Sequence, residues 1–248
     1  MMSLTTTSLT DTVKKQYFHK LKANIDSFSS LVGIQILAIL FSFAGVGSSG
    51  IGGMEYSVNV KYYSSDIVFI FTIIWSFVTA ITITTKPYRN HDFSFVSNRL
   101  SSSLSNMLFL VTTSILGGFT VMLSSNTIQL LSHLFFDEQL YYLSTTQLHH
   151  FILGFIVSFL YLFLVSSIGY FIGTMIQVNK LFVVLFPILF IGLLFFEGNA
   201  FRQPILSNVF QFFVMESTLF FFVIKTLITT AVLFFAAISV LNRLEVRR

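Results

Sequence analysis

Residues 150–175 read HFILGFIVSFLYLFLVSSIGYFIGTM, twenty-six consecutive positions with no Asp, Glu, Lys or Arg. Apolar residues fill the stretch continuously and do not alternate with polar ones as they do on a barrel strand. As a helix rising about 1.5 Å per residue it covers about 39 Å, more than the roughly 30 Å of bilayer hydrocarbon. A backbone in that medium has no water to bond, and an α-helix satisfies its N–H and C=O groups within the segment. The stretch therefore predicts a transmembrane helix and sets the class of the chain.

Five further stretches approach or meet the same criterion: 31–48, 66–84, 104–123, 181–196 and 217–241. The composition agrees, with 54% hydrophobic residues, 32 Phe and a mean hydropathy of +0.83. Charged residues make up 10% of the chain, against about a quarter in soluble domains. The predicted fold class is an all-α integral membrane protein with six transmembrane helices. The 248 residues divide into a cytoplasmic tail with an interfacial helix over 1–30 and a six-helix membrane domain over 31–248, with no separate soluble domain expected. A cleaved signal peptide is not expected, because no apolar run follows the charged start. The absence of Cys removes disulfides, thiolate metal sites and cysteine nucleophiles. Abundant Phe and Ile beside few Ala is the usage of an AT-rich genome, which points to a bacterial cell membrane.

The fifth apolar stretch is short and contains Pro187, which removes a backbone donor. It is followed by EGNAFRQPILSNVFQFFVME, residues 197–216, a semi-apolar segment with Pro204. Such a segment reads as re-entrant or interfacial. Lys14, Lys15, Lys20, Lys22, Lys86, Arg89, Arg99, Lys180, Arg243, Arg247 and Arg248 all fall on one side of the predicted topology, whereas the other side has only Lys61 and Arg202. The positive-inside rule then makes both termini cytoplasmic. From Asp11 to Phe28, the residues Val13, Tyr17, Leu21, Ile25 and Phe28 recur at helical spacing with Lys14, Lys15 and Lys22 to the side. This pattern predicts an interfacial helix with its stripe in the inner leaflet and its lysines against anionic headgroups.

KPYRNHDFSFVSNR, residues 86–99, gathers scarce positive charge between the second and third spans. After Pro87, Asp92 is placed to cap a short helix whose apolar positions are Phe93, Val96, Leu100 and Leu104. The positive-inside rule needs charge in such a loop but not Phe93, Phe95 and Val96, and aromatics flanked by Arg mark contact surfaces.

Taken together, the basic amphipathic helix at 11–28, the six spans with both ends inside, the stretch 86–99 and the kinked fifth span with its 197–216 sequel resemble the permease subunit of an ABC-2 type transporter. The resemblance covers nearly the whole chain and rests on architecture. It implies an N-terminal elbow helix, a re-entrant segment between helices five and six, and a coupling helix in which Phe93, Phe95, Val96 and Arg99 contact a nucleotide-binding ATPase. Gln177, Asn179 and Lys180 would add a smaller contact. It also implies a second permease subunit, in a homo- or heterodimer, and among peptide and toxin exporters an amphipathic peptide substrate. A Phe-rich wall suits an amphipathic or lipid-like substrate better than a sugar chain.

The chain itself has no P-loop, since no Gly is followed by Lys. ATP would act through the partner, no cofactor is expected to bind directly, and the permease is not expected to be an enzyme. Neither a metal nor a nucleic-acid partner is expected. Two alternatives remain. Gly47-Ser48-Ser49-Gly50 matches the GxSG pattern of rhomboid serine proteases, with His149 or His150 as a base, although Gly and Ser at a helix end also serve as a cap and turn. A secondary transporter would show charged residues at mid-membrane, and one such residue is present, Lys225. At that depth it must snorkel, face water or find a partner, and Glu197 and Glu216 are the candidates.

Overall fold

The computed structural model describes residues 8–44, 47–52, 57–62, 64–85, 99–135, 148–197, 205–216 and 218–243. The elements run α1 (Leu9–Ala23), α2 (Ile25–Ala44), β1 (Gly47–Gly52), β2 (Ser57–Tyr62), α3 (Asp66–Ile83), α4 (Arg99–Phe135), α5 (Leu148–Val178), α6 (Phe182–Glu197), α7 (Ile205–Val214) and α8 (Leu219–Arg243). The secondary structure among the described residues is helical apart from one antiparallel hairpin, in which Ser48 and Ser49 of β1 stand opposite Lys61 and Val60 of β2. The GVGSSG stretch is thus partly strand rather than a helix cap and turn.

Among the described residues five helices, α2, α3, α4, α5 and α8, are long and apolar enough to cross a membrane. The protein is a multi-pass membrane protein on that count. The sixth expected span, α6, has 16 residues and reaches about 24 Å, short of the hydrocarbon thickness of about 30 Å.

The third span was expected over 104–123, yet α4 runs unbroken for 37 residues. The apolar window marks where lipid lies, whereas the helix ends only where a breaker stands. No Gly or Pro follows Gly118 in α4, and its polar residues bond their own backbone: Ser124 Oγ donates to Val121 O and Thr127 Oγ1 to Leu123 O. The amphipathic helix expected over 11–28 ends earlier, at Ala23. There Asn24 caps it, with both its backbone N and its Nδ2 donating to Lys20 O. Ile25 and Phe28 belong to α2 instead. At the other end Ser8 Oγ accepts from Asp11 N at 3.2 Å.

The core is built where α3, α4, α5 and α8 meet, with Ala80, Phe109, Tyr170 and Phe234 buried together. Gly169 of α5 lies against α3 so closely that a Cβ there would stand 2.7 Å from Phe77 O. Gly118 of α4 also lies close against the α5 backbone, where a Cβ would be 3.1 Å from Phe159 N. Ser76 of α3 sits at 2.6 Å from Ser166 of α5 and also donates to Leu162 O. In lipid, apolar contact brings no release of water, so close backbone approach through small residues and interhelical hydrogen bonds hold helices together. The second helix joins by the same means. Gln35 Nε2 donates to Thr120 Oγ1 at 2.8 Å and to Thr72 Oγ1 at 3.2 Å, and the single Trp, Trp75, donates to Ser30 Oγ and Ser27 O.

Candidate functional site

Two polar constellations lie at opposite ends of the bundle. At the first end, α1 packs on the opening turns of α4. Lys20 is buried, 4% exposed. Its Nζ donates to Ser102 O at 3.1 Å and also contacts Asn106 Oδ1 and Ser102 Oγ. Asn106 Nδ2 reaches Tyr170 OH of α5 at 3.5 Å, and Tyr17 OH pairs with Thr112 Oγ1 at 2.8 Å. Close by in the fold, Gln177 near the end of α5 bonds Thr84 O at the end of α3. These contacts join α1, α4 and α5 in one network and clip α5 to α3. An ammonium beside the N-terminal turns of a helix opposes the positive end of the dipole. Three oxygens gathered around Lys20 are what such a placement needs.

The buried face of α1 adds polar residues to the expected apolar stripe. Val13, Gln16, Lys20 and Asn24 are buried, Lys14, Lys15 and Lys22 are exposed, and Phe18 faces outward. Lys20 turns into the bundle rather than toward headgroups. Gln16 is 3% exposed and neither of its side-chain amide atoms has a hydrogen-bond partner among the described residues.

The second constellation surrounds Lys225. Its Nζ forms a salt bridge with Glu216, lies 3.4 Å from Phe212 O and sits 3.9 Å from the centroid of the Phe212 ring. Tyr161 OH of α5 donates to Phe213 O at 3.0 Å, and Met215 N donates to Gln211 O. The last turn of a helix leaves its carbonyls without intrahelical partners, and its dipole favours a cation there. Lys225, Tyr161 and Met215 together satisfy three such carbonyls of α7. The amphipathic helix α7 is thus fastened at its C-terminal end to both α5 and α8.

Of the expected coupling residues, Phe93, Phe95 and Val96 lie outside the described residues, as do Lys86 and Arg89. Arg99 is the first residue of α4. Lys180 lies exposed in the turn between α5 and α6, where Asn179 Oδ1 accepts from Leu181 N. Glu197 is the last residue of α6, and the partner of Lys225 is Glu216. His149 and His150 open α5 as an exposed pair with ring centroids 5.7 Å apart, and no cluster of metal-ligating side chains occurs among the described residues.

Sequence reading missed Lys20, Asn106, Tyr170 and Tyr161 as participants. For Lys20 a signal existed: Gln16, Lys20 and Asn24 recur every four residues and form a polar stripe down one face of α1. Comparison with known protein families, with curated proteins and with solved structures finds no match.

Proposed function

We propose that this chain is the membrane-spanning permease subunit of an ATP-driven exporter of the ABC-2 type, moving amphipathic peptides or lipid-like substrates out of the cell. The observation that carries the reading is the network at the α1 end. Segment 86–98 immediately precedes α4 in the sequence, and the first turns of α4 are locked to α1 through Lys20 and to α5 through Asn106 and Tyr170. A force applied by an ATPase to residues 86–99 therefore enters a joint that spans the bundle. The basic residues at this end, Lys14, Lys15, Lys22 and Lys180, support its placement in the cytoplasm. On this reading Phe93, Phe95, Val96 and Arg99 form the ATPase contact, α6 and α7 are the short fifth span and the re-entrant segment, and a second permease subunit completes the pathway.

Because the chain has no Cys, a single cysteine introduced by Phe95→Cys carries a photocrosslinker at one defined position. The expected adduct is a P-loop ATPase, and reconstituted vesicles are expected to show ATP-dependent export that Phe95→Ala or Arg99→Ala uncouples from hydrolysis. An adduct of another kind, with unimpaired export in both alanine variants, would sink the assignment.

A further inference from the structure

A cavity of about 270 Å³ opens between α5, the end of α7 and the start of α8. Leu153, Val157 and Phe222 supply part of its apolar wall, and Tyr161, Glu216 and Thr218 bring oxygens to its lining. Their bonding leaves acceptors free. Glu216 gives Oε1 to Lys225, and its second oxygen has no protein partner among the described residues. Tyr161 spends its one hydroxyl hydrogen on Phe213 O and keeps its lone pairs.

Three features choose the occupant. The first is depth: Glu216 stands three residues before α8, and Leu153 lies in the second turn of α5. The 31 residues of α5 span about 46 Å and overrun the roughly 30 Å hydrocarbon core at their ends. The cavity therefore starts near the level where hydrocarbon meets headgroups and reaches inward to Tyr161, about 20 Å along α5 from its first residue. The second feature is size. The volume falls just under the roughly 300 Å³ at which pockets begin to hold drug-sized ligands, so it takes a headgroup and the start of one chain rather than a peptide. The third is charge: of the Lys225–Glu216 pair only the carboxylate lines the cavity, and oxygen acceptors beside a carboxylate call for a head with N–H donors.

We propose that this cavity is a binding site for a membrane lipid with a primary-ammonium, ethanolamine-type headgroup, whose ammonium is received by Glu216 with Tyr161 and Thr218. This site does not depend on the export reading and holds for any membrane function of the chain.

The test uses purified full-length protein in mixed micelles containing dioleoyl phosphatidylethanolamine, its N-monomethyl and N,N-dimethyl derivatives and phosphatidylcholine in equal amounts, with retained lipid counted by native mass spectrometry. Retention is expected to fall stepwise as N–H donors are lost, by about tenfold from the first lipid to the last, which corresponds to about 1.4 kcal/mol. Glu216→Gln should flatten the series to within about twofold, and Thr218→Val should weaken it by a smaller factor. The wild-type series stands alone if Glu216→Gln proves unstable. A flat wild-type series, or an undiminished series in a folded Glu216→Gln variant, would overturn the proposal.

Discussion

Helices α5 and α6 follow one another across a three-residue turn, and both are apolar from end to end, with Glu197 the only charged residue in either. Their fates differ. Ten residues of α5 are buried, six of them Ser, Gly or Thr. Along α6 every described position is exposed or only partly covered, and Phe195 is 79% exposed. The more apolar of the two, α6, is the less buried, and side-chain size accounts for it. Ser158, Ser166, Ser167, Gly169, Gly173 and Thr174 let α5 approach its neighbours, whereas α6 offers Gly192 alone, with nothing within 4 Å of where its Cβ would be. In a medium as oily as the side chains, a helix is drawn into a bundle by what fits closely and bonds, so the greasiest surface stays toward lipid.

The comparison breaks most sharply at Gly169. Gly169→Leu places a side chain on the Phe77 carbonyl and is expected to destabilise the bundle by about 3 kcal/mol, at the upper end of overpacking effects. A thermal-unfolding midpoint in detergent, compared with wild type, measures it. An unchanged midpoint would mean that close approach does not hold α3 to α5.

Lys20→Met should come next, with about 2 kcal/mol lost as Asn106 and Ser102 give up a charged donor in a buried setting. Limited proteolysis is expected to cut within α1 in this variant and to spare it in the wild type. Protection that survives the substitution would show that apolar contacts alone seat α1.

Lys225→Met is expected to have a smaller effect, about 1 to 2 kcal/mol. The pair is weaker than a fully buried one because its side chains are 25% and 23% exposed. Its readout is local: a cysteine at Asn208 of α7 should label faster with a maleimide when Lys225 is gone. Adding Glu216→Gln should recover part of the stability by removing the orphaned carboxylate.

Gln16→Leu carries the opposite sign. Removing a buried amide without partners should raise stability by about 1 kcal/mol, visible as a higher unfolding midpoint. At the far end of the scale, Gly192→Leu on α6 should move the midpoint by less than about 0.5 kcal/mol. A large loss there would show that α6 is packed against protein, and would erase the contrast with α5.

Class and most of the architecture were readable from the chain because transfer into hydrocarbon depends on composition summed over about 20 residues, which is a local property. That is why 66–84 and 150–175 fall close to α3 and α5, and why Lys225 stood out as a charge in need of a partner. Element ends were less legible. The third stretch, 104–123, understated α4 at both ends because serines and threonines bond their own helix and do not stop it. The GVGSSG stretch hid a strand, since pairing with residues 57–62 is a relation between two segments. Which helices touch, which face of α1 is buried and which glutamate answers Lys225 were decided by tertiary structure alone. Lipid rewards steric fit and hydrogen bonding between surfaces distant in sequence, and neither side of such a fit announces itself until its partner is beside it.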